Sequence, residues 1–428
     1  MRILLLLLCV FELLLVTWLR DFAGPYISPL LFILTSFGAA FVYLQLRTAP
    51  AISVVSAPRM NKNILLILQL LPFLLLSYLV FKTNKTIWWW HATRDNGVDK
   101  SDIIPQITSL VKRFLGHEQP YYPIQYPDYT LFPTYLPFQW MPYVLTELLH
   151  KDYRWIPVIA LWLASFYFFL KNRAFPLGNT PVLLQILLPV WPLIAWYSIV
   201  MYDNDMFKLT VEGLIAAYYL FVAMSIGGKR VLPLAIGIAV CLLSRYSIIF
   251  WVPLCVACYY MAGRKKDAVI IVSAFLVLFI ICYWFPFLRK DPMIFIKGYQ
   301  YHTAAAYGEW LNDLQNLKGK FYMYNGFGFT AWALKLVPGD LRHILTVYQK
   351  IHLVLCMSTI AALIYYYWKK KAVLDLNVFL LFSFKVYLAV FYAFIQIPYK
   401  YLYLVPIIVT SALLVEVFRK GGVAGQTH

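Results

Sequence analysis

The chain has 428 residues, of which 62% are apolar, 18% aromatic and 13% charged, with a mean hydropathy of +0.69. Soluble domains run at about 45–50% apolar and about 25% charged, so a soluble enzyme, a disordered chain and a disulfide scaffold are all excluded. The net charge of +18 would point to nucleic acid in a soluble protein. A polytopic membrane protein with Lys and Arg in its cytoplasmic loops accounts for it without that partner.

A hydrocarbon core about 30 Å thick takes about 20 apolar residues per helix. Runs of that kind lie near 3–19, 26–46, 64–81, 154–170, 181–200, 207–226, 231–243, 247–262, 268–287, 344–367, 373–394 and 399–418, about twelve in all. The expected architecture is therefore all-α, a single integral membrane domain over residues 1–428. The first run has no small-residue cleavage site and a second follows at once, so it reads as an uncleaved anchor. All six cysteines fall inside apolar runs.

Orientation follows from the loops. With Arg2 cytoplasmic, the inner loops carry Arg47, Arg59, Lys62, Lys171, Arg173, Lys229, Arg230, Arg264, Lys265, Lys266 and Lys369 to Lys371, with Arg419 and Lys420 in the tail. Asp267 is the one acid among them. The positive-inside rule then puts both termini in the cytoplasm and the protein in the cell membrane. Ser244-Arg245-Tyr246 separates two runs too short to cross comfortably. Such a polar turn is tolerated where it is buried in protein or lines a cavity.

Two long segments remain on the outer side, 82–153 and 288–343, rich in Tyr, Trp, His and acids. Tyr135–His150 reads as a juxtamembrane helix. Upstream of it, Ile107, Leu110, Val111 and Phe114 recur at helical spacing, with a stop expected at Leu115-Gly116. Asp102 stands at the entry of this helix, where a carboxylate commonly only caps the N–H groups; Asp95 and Asp99 are its acidic neighbours.

The segment from Asp102 through Leu115-Gly116 and Tyr121 to Phe132-Pro133 resembles the first extracytoplasmic loop of GT-C glycosyltransferases, above all family 87. The Met201-Tyr202-Asp203-Asn204-Asp205 turn, the broken pair with Arg245 and the stretch Pro398-Tyr399-Lys400 to Pro406 follow the order of the same family. Where that family usually carries Gly-Gln-x-Asn this chain reads Tyr-Asp-Asn-Asp, and the second Pro of its Tyr-Pro-Pro entry is Thr134. The resemblance implies a GT-C-like fold, a polyprenyl-phosphate sugar donor with mannose as the first expectation, and a glycan or glycolipid acceptor. It gives Asp102 the role of general base and requires no cofactor.

The chemistry asks for cations near the departing phosphate. Arg245, Lys400, Lys208, His302 and Lys297 are the candidates. Asp205, Lys208 and Glu212, at i, i+3 and i+7, either neutralise one another on one helical face or touch substrate. Asp203, Tyr121 and Glu309 complete the candidate substrate-binding set. His302 and Glu309 sit in an aromatic stretch that suits sugar binding or a headgroup belt equally. Lys385 is placed to line the cavity and Glu12 to pack against a polar partner. No metal site is read. A flippase or secondary transporter of lipid-linked glycans is the rival class, disfavoured by the lack of matched broken helices in two halves.

Overall fold

A computed structural model describes residues 1–49, 61–94, 103–125, 130–173, 180–203, 205–315 and 326–419. The described residues are overwhelmingly helical, with one two-stranded ladder among them pairing β1 (Ile124–Gln125) to β2 (Thr130–Leu131). Among the described residues, eight helical segments are long and apolar enough to cross a membrane, and three shorter apolar helices accompany them. This is a multi-pass membrane protein.

The helices are α1 (Arg2–Leu14, continued by a π-type turn to Leu19), α2 (Arg20–Thr48), α3 (Lys62–Arg94), α4 (Ile103–Leu115), α5 (Trp155–Asn172), α6 (Val182–Tyr202), α7 (Glu212–Ser225) and α8 (Leu232–Leu242). They continue as α9 (Trp251–Met261), α10 (Lys265–Leu288), α11 (Ile294–Gln315), α12 (Thr330–Leu336), α13 (Leu341–Lys370), α14 (Leu376–Ala393) and α15 (Leu404–Arg419). Local chemistry sets several of their ends. Asp340 and Asp375 cap α13 and α14 by accepting the N–H of His343 at 2.7 Å and of Val378 at 3.0 Å. Gly24, at φ +67°, breaks the run from Arg2 to Thr48 just before Pro25, where a continuous helix is disfavoured. The two arms fold onto each other as a hairpin, with Leu8 of α1 against Gly38 of α2.

Helices α14 and α15 form the centre: 89% of the residues in each apolar window are buried, against 17% in α10 and 22% in α13. Around the central pair pack α1, α2, α7 and α13, and α7 lies in turn against α5. That last contact is very close. A Cβ at Gly213 would fall 2.8 Å from the Pro157 carbonyl oxygen, so only glycine lets the two backbones approach. The exposed apolar faces of α3, α10 and α13 are those of helices that meet lipid.

Several expected elements differ in detail. The run 207–226 does not form one helix: a single turn, Asp205–Lys208, is followed by a break at 209–211, and α7 starts only at Glu212. The expected helix over Tyr135–His150 is divided into single turns at Pro137–Trp140, Met141–Tyr143 and Val144–Leu148: Pro137 holds Leu136 extended and opens the first turn, and Pro142 lacks the N–H that would continue it. The apolar face of α4 is as read, with Ile107, Leu110 and Val111 all buried. Its left-handed stop is His117 at φ +60°, one residue beyond Gly116. Helix α3 runs on past residue 81 into the segment read as an outer loop.

Basic helix ends gather at one end of the bundle. There Arg2 lies over the Phe418 ring at 5.9 Å, Arg47 donates to the Glu416 carbonyl at 3.1 Å, and Lys171 bonds the Met224 carbonyl.

Candidate functional site at the opposite end of the bundle

At the other end the two long segments come together. The Phe138 N–H donates to the Leu243 carbonyl at 2.9 Å and the Tyr218 hydroxyl donates to the Phe138 carbonyl at 3.1 Å, so the first segment caps the break between α8 and α9. The second segment supplies α11. Its Tyr301 hydroxyl reaches the Thr130 carbonyl, its Phe295 ring meets Tyr246 edge-on at 5.5 Å, and its Trp310 indole donates to the Gln396 carbonyl at 2.9 Å. Gly328 and Gly326 pack directly on Pro398, an approach that no side chain would allow, and this sets α12 beside the turn before α15.

Arg245 stands at the α8–α9 break with an extended backbone, φ −154° and ψ 140°. Its Nη1 donates to Glu212 Oε2 at 2.8 Å, and its Nη2 pairs with Oε1 of the same carboxylate. The Glu212 side chain has no exposed surface, whereas 16% of Arg245 is exposed. The break at 209–211 makes this pair. Thr210 accepts the Glu212 N–H at 3.1 Å and turns the carboxylate towards Arg245. The expected Asp205–Lys208–Glu212 face is thereby corrected, since no continuous helix joins its members. Lys208 is buried, and the side chain of Asp205 lies outside the described residues.

Hydroxyl groups line the pair. Tyr392 approaches the Arg245 guanidinium, and Ser247 joins Tyr392 at 3.1 Å to Tyr219 at 2.7 Å. Tyr143 is buried near Glu212, Tyr218 and Tyr135, and its hydroxyl has no hydrogen-bond partner among the described residues.

A second cluster surrounds Lys400, whose Nζ is 2.8 Å from Asp203 Oδ2 and 5.0 Å from the centre of the Tyr202 ring. The Tyr202 hydroxyl donates to Asp21 at 2.6 Å, and Arg20 pairs with Asp21 at 2.8 Å. The turn of the N-terminal hairpin thus joins the same end of the bundle.

The other candidates are spread out. Tyr121 is a core residue: its hydroxyl donates to the Tyr135 carbonyl at 3.0 Å and accepts the Trp140 indole at 3.1 Å. Lys297 pairs with Asp291 at 2.7 Å, and the ammonium holds that carboxyl below its usual range. His302 and Glu309 are exposed on α11. Lys385 does not line a cavity; it is fully buried against Glu12 in the middle of the bundle. Asp102, with Asp95 and Asp99, lies outside the described residues; α4 begins at the next position, Ile103.

Sequence reasoning singled out Arg245, Lys400 and Asp203 but missed the partner of Arg245 and the hydroxyl lining of Tyr392, Ser247, Tyr219 and Tyr143. Glu212 and Arg245 are 33 positions apart and Ser247 and Tyr392 are 145 apart, beyond any local pattern. No family description, no curated protein and no solved structure matches this chain.

Proposed function

We propose that this chain is a membrane-embedded glycosyltransferase. It moves a sugar, mannose first, from a polyprenyl phosphate to a lipid-linked or envelope glycan acceptor on the extracytoplasmic side. Asp102 takes the acceptor hydroxyl's proton as that oxygen attacks the anomeric carbon with inversion. Arg245 and Lys400 face the charge that grows on the departing phosphate.

What carries the reading is the meeting of both long segments at one end of an apolar bundle, beside Arg245 and Lys400. A donor with its tail in lipid and its reactive head in water needs a site at such a boundary. The guanidinium fork has more N–H donors than Glu212 takes, and its partly exposed edge leaves them for a phosphate oxygen. Residues 103–115, which follow Asp102 in the motif, supply the buried face of α4, and Phe138 further along the same segment caps the Arg245 turn. The basic opposite end supports a cytoplasmic position for both termini.

The test uses membranes incubated with radiolabelled polyprenyl-phosphate mannose, resolved by thin-layer chromatography. Wild type should transfer label to a glycan, and Asp102→Asn should abolish transfer while still inserting and binding donor. Turnover retained in that variant removes the assigned base. Label that crosses the bilayer without bond breakage makes the protein a transporter instead.

A further inference from the structure

Near the middle of the bundle, away from the site just described, four helices share one fully buried polar cluster. Glu12 of α1 and Lys385 of α14 are both without exposed surface, and Nζ lies 2.7 Å from Oε1. The Ser36 hydroxyl of α2 donates to the same Oε1 at 2.6 Å. From α15, the Thr410 hydroxyl donates to Oε2 at 2.6 Å. The ammonium also donates to the Pro406 carbonyl at 2.9 Å. Both carboxylate oxygens are therefore engaged, and the ammonium has two acceptors.

Neither charge suits an apolar helix alone, and an unpaired one would be strongly destabilising. The pair joins residues 373 positions apart. It lies where the α1–α2 hairpin meets the two central helices. Those helices lead on to the candidate site: α14 ends beside Tyr392, and α15 follows Lys400 and Tyr403, whose hydroxyl bonds the Tyr392 carbonyl at 2.9 Å.

We propose that Glu12 and Lys385 form a docking lock of fixed polarity that seats the N-terminal hairpin on α14 and α15. The polarity comes from the surroundings. Position 12 is met by hydroxyl donors from Ser36 and Thr410, and position 385 by the carbonyl of Pro406, which can only accept. A carboxylate at 385 would face that carbonyl oxygen, so exchanging the charges is not equivalent to keeping them. The lock does not depend on the reading of the chain as a glycosyltransferase.

Thermal unfolding of the full-length protein in one fixed detergent tests it. Glu12→Gln and Lys385→Met should each lower the midpoint. The neutral double variant E12Q/K385M should recover more than half of the larger single loss, because replacing a whole buried ion pair costs little compared with halving it. The exchanged variant E12K/K385E should not recover. Ser36→Ala and Thr410→Ala, each removing one donor, give smaller falls and cover the case in which a single charge variant does not accumulate. Accumulation of the neutral double alone would then support the lock. Single variants at the wild-type midpoint, or a double whose loss is the sum of the two, would overturn it. Recovery in the exchanged variant would overturn the fixed polarity.

Discussion

Among the described residues two ion pairs are deeply buried, and they are built differently. Glu12 and Lys385 sit on uninterrupted stretches of α1 and α14, with both charges sealed from solvent and ringed by donors and an acceptor. Glu212 and Arg245 both sit where the backbone breaks, at the start of α7 and between α8 and α9, and the arginine keeps an exposed edge. Beside the second pair is the buried Tyr143 hydroxyl, which has no partner among the described residues. A pair that holds helices together can be closed completely. Under the proposed function the second pair meets a ligand, and its unused donors and the broken helices beside it open a way to one.

The comparison fails if the two pairs respond alike. Arg245→Met strands a carboxylate that has no exposed surface, and should cost about 3–5 kcal/mol in unfolding free energy and, under the proposed function, all transfer activity. Glu212→Gln should separate the two regions more sharply. Arg245 retains a hydrogen-bond acceptor and can solvate its exposed edge, so stability should fall less than in Glu12→Gln while transfer still falls steeply. Equal stability losses in a denaturant series would remove the distinction. Gly213→Ala comes next: its Cβ would press on the Pro157 carbonyl, and overpacking of that kind costs about 1–3 kcal/mol. Because this moves the start of α7, Glu212 should move with it, and transfer should drop more than the unfolding midpoint implies.

Much of the helical arrangement was legible in the sequence, because length and apolarity alone identify a helix that meets lipid. The divided reading at 244–246 came from the same logic, since Arg245 interrupts two short runs. What could not be read was the break at 209–211. Val, Thr and Leu there look apolar, and a straight helix through them put Glu212 on the face of Lys208. The partner that bends the chain instead is Arg245, brought there by tertiary packing. Glu12 was legible as needing a polar partner, but not that the partner would be Lys385. The packing of Tyr121 could not be read either, because the rings that meet it, Trp140 and Phe287, are distant in sequence.

Smaller effects belong to the ion pairs whose carboxylates reach solvent, and they bound the comparison from the other side. Lys400→Met would leave Asp203, a carboxylate 29% exposed and able to reach water, so its stability loss should be smaller than that of Arg245→Met, which strands a carboxylate with no exposed surface. Under the proposed chemistry it should nonetheless depress transfer, because Lys400 then acts on the phosphate and not on the fold. Lys297 and Asp291 are 49% and 28% exposed and make no contact with the Arg245 or Lys400 clusters in their pairing. The lowered Asp291 carboxyl stabilises the protein slightly above the ordinary carboxylate range, and that contribution fades as pH falls through its folded value. Lys297→Met should therefore remove a faint acid sensitivity of the unfolding midpoint and leave transfer unchanged. A transfer loss in this variant as large as in Lys400→Met would mean that the reacting phosphate lies along α11, and the partly exposed edge of Arg245 would lose its meaning.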